Sequence, residues 1–252
     1  MIRRPPRSTL DRSSAASDVY KRQIGNTAGL QTRRDRKYVV SPTLVDRLIS
    51  ELWPEVLALE IDGQRDFGYE SLYFDTPDLV SYLAAAHRRR RRFKVRHRHY
   101  VDAGTAMLEV KVRTGRGRNA KLRLPVDSAE ATLFSTAGRE FVDGAVGAGA
   151  AERLVSILTT RYRRSTLVDL DGPSRLTIDR AVTCTDRDGP TASVDGIVLE
   201  TKTAGPPSQF DRWLWAQGHR PIQLSKYCTG LAALRPNLPA NKWHRTLSQH
   251  LS

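Results

Sequence analysis

Cysteine is nearly absent: Cys184 and Cys228 stand far apart in a chain of 252 residues, without CxxC spacing. That argues against a disulfide scaffold and against a thiolate zinc centre. No apolar run approaches the roughly 20 residues that a membrane-spanning helix needs. Aromatic residues make up only 7% of the chain and sit in core-like positions. Few rings are therefore left for the stacking platforms of a nucleic-acid binder, and no recognition helix stands out, so no specific nucleic-acid partner is expected. Acidic residues are also scarce, 27 against 41 lysines and arginines, for a net charge of +14. That excess calls for an anionic partner. The remaining composition, 39% hydrophobic and 27% charged, is that of a globular domain with a core of its own. We expect the protein to be soluble and cytoplasmic.

Residues 1–23 carry neither an apolar h-region nor a small-residue cleavage site, which excludes a signal peptide. They back-translate into sequencing flow-cell and transposase adaptor DNA, and we read them as a disordered artefact of read assembly. Their six basic and two acidic residues take +4 of the total +14, so residues 24–252, read as one domain, remain strongly basic.

Period-2 alternation predicts eight strands, near 33–40, 69–74, 92–101, 106–114, 119–126, 161–170, 174–181 and 196–203. Helices are predicted from Ser41-Pro42, which has the preferred N-cap and N1 residues, and near 77–86, 127–135, 150–159, 206–217 and 224–235. Residues 144–151 read as a Gly/Ala-rich loop. The expected class is α+β, with helices packed outside an eight-stranded antiparallel barrel.

The alternation has an informative polarity. Lys94, Arg96 and Arg98 share one strand face, as do Glu109, Lys111 and Arg113, each opposite a row of apolar or aromatic residues. Lys121-Leu122-Arg123-Leu124, Arg175-Leu176-Thr177-Ile178-Asp179 and Val198-Leu199-Glu200-Thr201-Lys202 repeat the pattern. Successive side chains of a strand point to opposite faces. Taken singly, each strand reads as a solvated surface strand. Taken together the charged faces are mostly basic, and like charges on neighbouring strands repel. Closing the sheet around an anion resolves that repulsion. His97 and His99 alternate with the arginines, so they point outward and are read as structural. The run from His87 to Arg92 reads as a solvated, anion-attracting entrance.

Several motifs follow one another in order: Arg36-Lys37-Tyr38, Ser71-Leu72-Tyr73-Phe74-Asp75-Thr76-Pro77-Asp78 with Tyr82, and Lys94-Val95-Arg96-His97-Arg98-His99-Tyr100. Next come Leu108-Glu109-Val110-Lys111, Tyr162-Arg163-Arg164, Leu176-Thr177-Ile178-Asp179-Arg180, Leu199-Glu200-Thr201-Lys202 and Ser225-Lys226-Tyr227. Over residues 33–235 the set resembles the polyphosphate-polymerase domain of the vacuolar transporter chaperone family, in a bacterial form. That family belongs to the triphosphate tunnel metalloenzymes.

The resemblance implies a tunnel-shaped antiparallel barrel. It also implies transfer of the γ-phosphate of ATP or another nucleoside triphosphate to inorganic polyphosphate, with Mn²⁺ or Mg²⁺. The implied phosphate-binding residues are Lys37, Arg96, Arg98, Lys111, Lys121, Arg164, Arg175 and Lys226. Of these, Arg96, Arg98, Lys111, Arg164, Arg175 and Lys226 would form the catalytic set. Glu200 would be the principal metal ligand and Glu109 a second candidate, while Asp35 and Asp179 read as salt-bridge partners. Such chemistry asks for these residue types, because positioning and charge neutralisation dominate phosphoryl transfer. Arginine grips phosphate oxygens in pairs, lysine supplies a point charge, and a hard cation needs few protein carboxylates.

One departure stands out. Where the adenylate-cyclase and thiamine-triphosphatase branch opens on Glu-x-Glu-x-Lys, this chain has Arg33, Asp35 and Lys37. That favours the polymerase branch. A tunnel triphosphatase and a non-catalytic polyphosphate-binding module stay open beside it, as does a membrane-protein partner not encoded in this chain.

Overall fold

The computed structural model describes residues 34–113, 119–127, 134–170, 172–187 and 189–252. The adaptor-like residues 1–23, and most of the helix expected at 127–135, lie outside them. Eight strands follow one another through a continuous antiparallel ladder: β1 (Arg34–Val40), β10 (Ile197–Thr203), β8 (Arg175–Asp186), β7 (Val155–Asp169), β3 (Phe67–Asp75), β4 (Arg92–Tyr100), β5 (Thr105–Arg113) and β6 (Asn119–Val126). Two short strands add to it, β2 (Val56–Ala58) on β7 and β9 (Thr191–Ser193) on β8. The sheet curls into a tunnel-like wall, but β1 and β6 are not paired, so the expected closed barrel is open along one seam. Ile222 lies on the free edge of β1, its amide donating to the Lys37 carbonyl at 2.8 Å.

The apolar side of most strands faces outward and is covered by helices. Helices α1 (Pro42–Leu52) and α4 (Gln209–Ala216) bury Leu48, Phe210 and Leu214 against Tyr38, Ile178 and Leu199. Ser41 caps α1 by accepting from the Leu44 amide, a bond worth about 1 kcal/mol. Helix α3 (Thr136–Val146) packs Val142 over Val95, Leu108 and Val110. His97, buried and edge-on to Phe74 and Phe134, belongs to that outer core, as its alternation predicts.

Helices α2 (Val80–Ala86), α5 (Lys226–Leu234) and α6 (His244–His250) form a third cluster. The buried Asp75 carboxylate joins two of them. It accepts from the backbone of Thr76, Ser81 and Tyr82 at 2.8 Å each and from the Tyr227 hydroxyl at 2.6 Å. Gly230 lets α5 approach β8: a Cβ there would stand 2.5 Å from the Cys184 sulfur.

Two local expectations are corrected. Residues 150–159 form no α-helix. A short 3₁₀ turn (Ala151–Arg153) runs into β7, because Val155, Ile157, Thr159 and Thr160 suit a pleated strand and β3 and β8 pair both of its edges. Gly144 to Val146 belong to α3 rather than to a loop, and Gly147 ends that helix.

Candidate active site: a basic tunnel with clamped carboxylates

The inner wall carries the polar side of the same strands, together with an apolar cluster of Val39, Tyr162, Val182, Val198 and Leu224. Four carboxylates stand on it, Asp35, Glu109, Asp179 and Glu200, and each of the last three is held by at least two cations. Glu109 on β5 is 2% exposed. It receives Arg96 through Nε at 2.8 Å and Nη2 at 2.5 Å on one oxygen. The other oxygen takes Lys121 at 2.6 Å and Arg123 at 3.2 Å, and Arg98 lies 3.9 Å from the oxygen that Arg96 binds. Asp179 on β8 accepts a two-pronged clamp from Arg164, at 2.5 and 2.7 Å, and also pairs with Lys226 at the start of α5. Glu200 on β10 binds Lys37, its cross-strand neighbour, at 2.8 Å and also pairs with Lys202.

Aromatic rings brace the arginines. Tyr69 and Tyr162 stack with centroids 5.3 Å apart. The Arg164 guanidinium lies 5.2 and 5.1 Å from their centroids, and the Lys226 ammonium 4.5 Å from that of Tyr162. Arg96 donates to the Tyr73 hydroxyl at 2.8 Å, and Arg98 to that of Tyr162 at 3.2 Å. These contacts fix fork geometries that free side chains would have to freeze on binding.

Burial raises the cost of every charge here, and the partners decide the balance. For Glu109, burial pushes the carboxyl up, but Arg96, Arg98 and Lys121 outweigh it and hold the group well below the usual carboxylate range. Asp179 is held down in the same way by Lys226 and Arg164, and Glu200 by Lys202 and Lys37. Lys202, by contrast, is pushed down to about 7 by burial, despite the pull of Glu200. Burial also raises Tyr162, yet Arg164, Arg98 and Lys226 bring its phenol below the ordinary value.

The structure brings Lys37, Arg96, Arg98, Lys121, Arg164 and Lys226, six of the eight residues implied as phosphate-binding, onto these carboxylate clusters. Lys111 pairs across strands with Lys94 and Lys121, on the same wall. Arg175 stands opposite Lys202 across β8 and β10. Asp179 is a salt-bridge partner, as expected. Sequence reasoning passed over Lys202 as a site residue, and it missed the tyrosine brace. Lys202 shares a strand face with Glu200, which is a signal of its position, whereas the stacking of Tyr69 on Tyr162 needs the β3–β7 register.

Of the three clamped carboxylates, one suits a divalent cation. Among the described residues no group of three or more His, Cys, Asp and Glu converges. Glu109 is surrounded by four cations, and Asp179, which like Glu200 is bonded on both oxygens, is gripped by a guanidinium fork as well as by Lys226. Glu200 is held by two flexible lysines, which move aside more readily than a guanidinium fork. One carboxylate plus phosphate oxygens and water is an acceptable shell for Mg²⁺ or a similar hard cation, so Glu200 fits the role.

The profile of the VTC domain family matches residues 32–235. The chain belongs to that family. No curated protein sequence matches this chain significantly. Among solved structures, the VTC chain is similar to the Hippeastrum protein HpAC1, reported to have a dominant triphosphatase activity. The two are 18% identical with a TM-score of 0.54, covering 79% of this chain and 94% of that one. The Pyrococcus horikoshii protein PH1012 is 14% identical at a TM-score of 0.39, covering 74% and 88%. The likeness to HpAC1 is one of fold, an antiparallel, tunnel-like sheet with helices outside it. No described helix of this VTC domain is long and apolar enough to cross a membrane.

Proposed function

We propose that this VTC domain is a polyphosphate polymerase, transferring the γ-phosphate of ATP to a growing polyphosphate chain with Mn²⁺ or Mg²⁺. The observation that carries this reading is the excess of cations over carboxylates on the inner wall, where Glu109, Asp179 and Glu200 are already paired. Phosphoryl transfer needs little covalent work from protein groups; it needs the reacting phosphates lined up and their charge met. Arg96 and Arg164 are oriented by carboxylate forks and tyrosine, and Arg98 by the Tyr162 hydroxyl, so they are positioned to meet equatorial phosphate oxygens. Lys37, Lys111, Lys121 and Lys226 add point charges, with Arg175 at the wall beside Lys202. A divalent cation at Glu200 would neutralise charge building on the β- and γ-phosphates.

In the reaction a terminal phosphate oxygen of the chain attacks the γ-phosphorus. The bond from that phosphorus to the β–γ bridging oxygen breaks, and ADP leaves with the electron pair. The attacking oxygen is already anionic and has no proton to lose. A water acceptor would need a base, and Glu109, Asp179 and Glu200 are all held too acidic to serve as one. Lys202 and Lys121, both pushed down to about 7 by burial, would be returned to their cationic forms by an entering polyanion. These points support phosphate rather than water as acceptor.

A triphosphatase, the activity reported for HpAC1, is the second reading and uses the same site. Incubation with ATP and Mn²⁺, followed by sizing of the phosphate products, separates the two. Long chains support the polymerase. Free phosphate alone overturns it in favour of hydrolysis, and unchanged ATP leaves a binding module.

A further inference from the structure

Several groups of the tunnel wall lean on one helical turn that belongs to none of its strands. Ser225, Lys226 and Tyr227 open α5, and each reaches a different strand. Ser225 caps the helix by accepting from the Cys228 amide, and its hydroxyl also accepts from Lys94 of β4 at 2.7 Å. Lys226 pairs with Asp179 of β8 and lies over the Tyr162 ring of β7. The Tyr227 ring stacks on Tyr73 of β3, with centroids 5.1 Å apart and planes inclined by 18°. The Tyr73 hydroxyl in turn accepts from Arg96 at 2.8 Å.

That turn is tied down by Asp75. Its Oδ1 accepts from the Thr76 and Ser81 amides, its Oδ2 from the Tyr82 amide and the Tyr227 hydroxyl. Ser81 and Tyr82 supply amides of the first turn of α2, which lack partners within a helix, so three of the four bonds are local. The fourth is not: Tyr227 lies 152 residues further along the chain. Tyr227 is buried, and burial, then the Asp75 charge, holds its phenol well above the ordinary value, so it stays the donor. With its hydroxyl bonded at one end and its ring face stacked on Tyr73, Tyr227 has little freedom to slide or rotate. Its chain neighbours Ser225 and Lys226 inherit that placement, and Tyr73 passes it to Arg96. Asp75 itself is wholly buried and bonded on both oxygens, so it meets no substrate.

We propose that Asp75 is a positioning residue for phosphoryl transfer: through the Tyr227 hydroxyl it sets the first turn of α5, and thereby where Lys226 and Arg96 stand on the tunnel wall. It rests on the reading of the tunnel as a phosphoryl-transfer site. Misplaced cations still attract a polyanion, but they no longer meet the charge of the transition state where it develops. Loss of the tie should therefore fall on turnover more than on binding.

The test compares wild type, Tyr227→Phe, Asp75→Asn and the double variant. Calorimetric titration with tripolyphosphate, without metal so that no turnover intervenes, gives affinity and the number of intact sites. ATP consumption with Mn²⁺, whichever acceptor takes the phosphate, gives kcat per intact site. A purely structural role lowers the number of sites and leaves kcat per site alone. Tyr227→Phe keeps the ring and removes only the bond. Its kcat per site should fall about tenfold or more, toward the hundredfold that a misplacement of about 1 Å can cost. Tripolyphosphate affinity should stay within about threefold, well short of one tenfold step. The double variant should lose no more than the worse single one, because both changes break the same bond. If Asp75→Asn does not fold, Tyr227→Phe alone decides. Unchanged kcat per site in Tyr227→Phe, an equal loss of affinity and kcat, or losses that multiply in the double variant would each overturn the role. If wild type itself consumes no ATP, the failure lies with the phosphoryl-transfer reading, and the role falls with it.

Discussion

Two stretches of one wall, built by the same strands with the same alternation, differ in where their counter-charge comes from. In the carboxylate layer, Glu109, Asp179 and Glu200 sit among Arg96, Lys121, Arg164, Lys226, Lys37 and Lys202. In the pocket layer, Arg92, Lys94, Lys111, Arg113 and Lys242 line a pocket of about 210 Å³ that has no acid in its lining. The first layer is stable and oriented before a ligand arrives, as a site that stabilises a transition state must be. The second sets like charges face to face with no acid in its lining, and only Lys111 feels the pull of Asp35 and Glu200 from the wall beyond. Placing an acid or leaving it out thus divides one tunnel into a place for chemistry and a place that welcomes charge.

The largest effect should come from removing an acid from the first layer. Asp179→Ala leaves Arg164 and Lys226 buried without their partner and should cost about 3–5 kcal/mol of stability, read by urea denaturation. Tripolyphosphate should restore part of the loss, because it replaces the missing anion. If Asp179→Ala is as stable as wild type, the clamp is not what holds the layer. The pH dependence follows with a definite sign. Asp179 and Glu109 are held below their ordinary values, so the stability they contribute is complete above about pH 4 and is lost as pH falls through the lowered values.

Glu200→Gln separates charge from shape at the proposed cation ligand. Turnover should drop by about 10²–10³, the scale for losing one preorganised electrostatic group, while triphosphate affinity holds or rises, since a negative group leaves a basic tunnel. Full Mn²⁺-dependent turnover in this variant would move the ligand assignment to Glu109. Arg96→Ala should act differently and more mildly, weakening triphosphate binding by about 1.5–3 kcal/mol in the same titration. Unchanged binding would mean that Arg96 serves Glu109 alone.

Much of this division was legible in the sequence, because strand alternation reports which face a charge occupies. Lys94, Arg96 and Arg98 on one face, and Glu109 with Lys111 and Arg113 on another, emerged from period two alone, as did the outward histidine His97. What alternation does not report is register. That Glu109 meets Arg96 and Arg123 while Lys111 meets Lys94 and Lys121 depends on which residues face across β4, β5 and β6, and only pairing decides it. The strand at Val155–Thr160 was hidden for a related reason: a mixed apolar and polar run reads as helix until two neighbouring strands claim its edges. The open seam was equally invisible, since closure is a property of β1 and β6 together.

The smallest effect, and the sharpest test of the contrast, concerns stability without ligand. If the pocket layer is under repulsion, removing one of its charges should raise stability slightly, where the same operation in the carboxylate layer lowers it. Arg113→Gln is the suitable change. The glutamine keeps part of the aliphatic stem and leaves Arg92 facing a neutral residue across β4 and β5. Relief of one cross-strand like-charge pair is worth about 0.2–1 kcal/mol. The gain should shrink as salt rises, because the pair is only partly buried and ions screen what water reaches. It should vanish or reverse when medium-chain polyphosphate is added, since wild type then has its anion and the variant has lost a contact. Thermal denaturation at low and high salt, with and without polyphosphate, reads all three. A loss of stability in Arg113→Gln at low salt without ligand would show that the guanidinium is satisfied where it stands, and the two layers would no longer differ in kind.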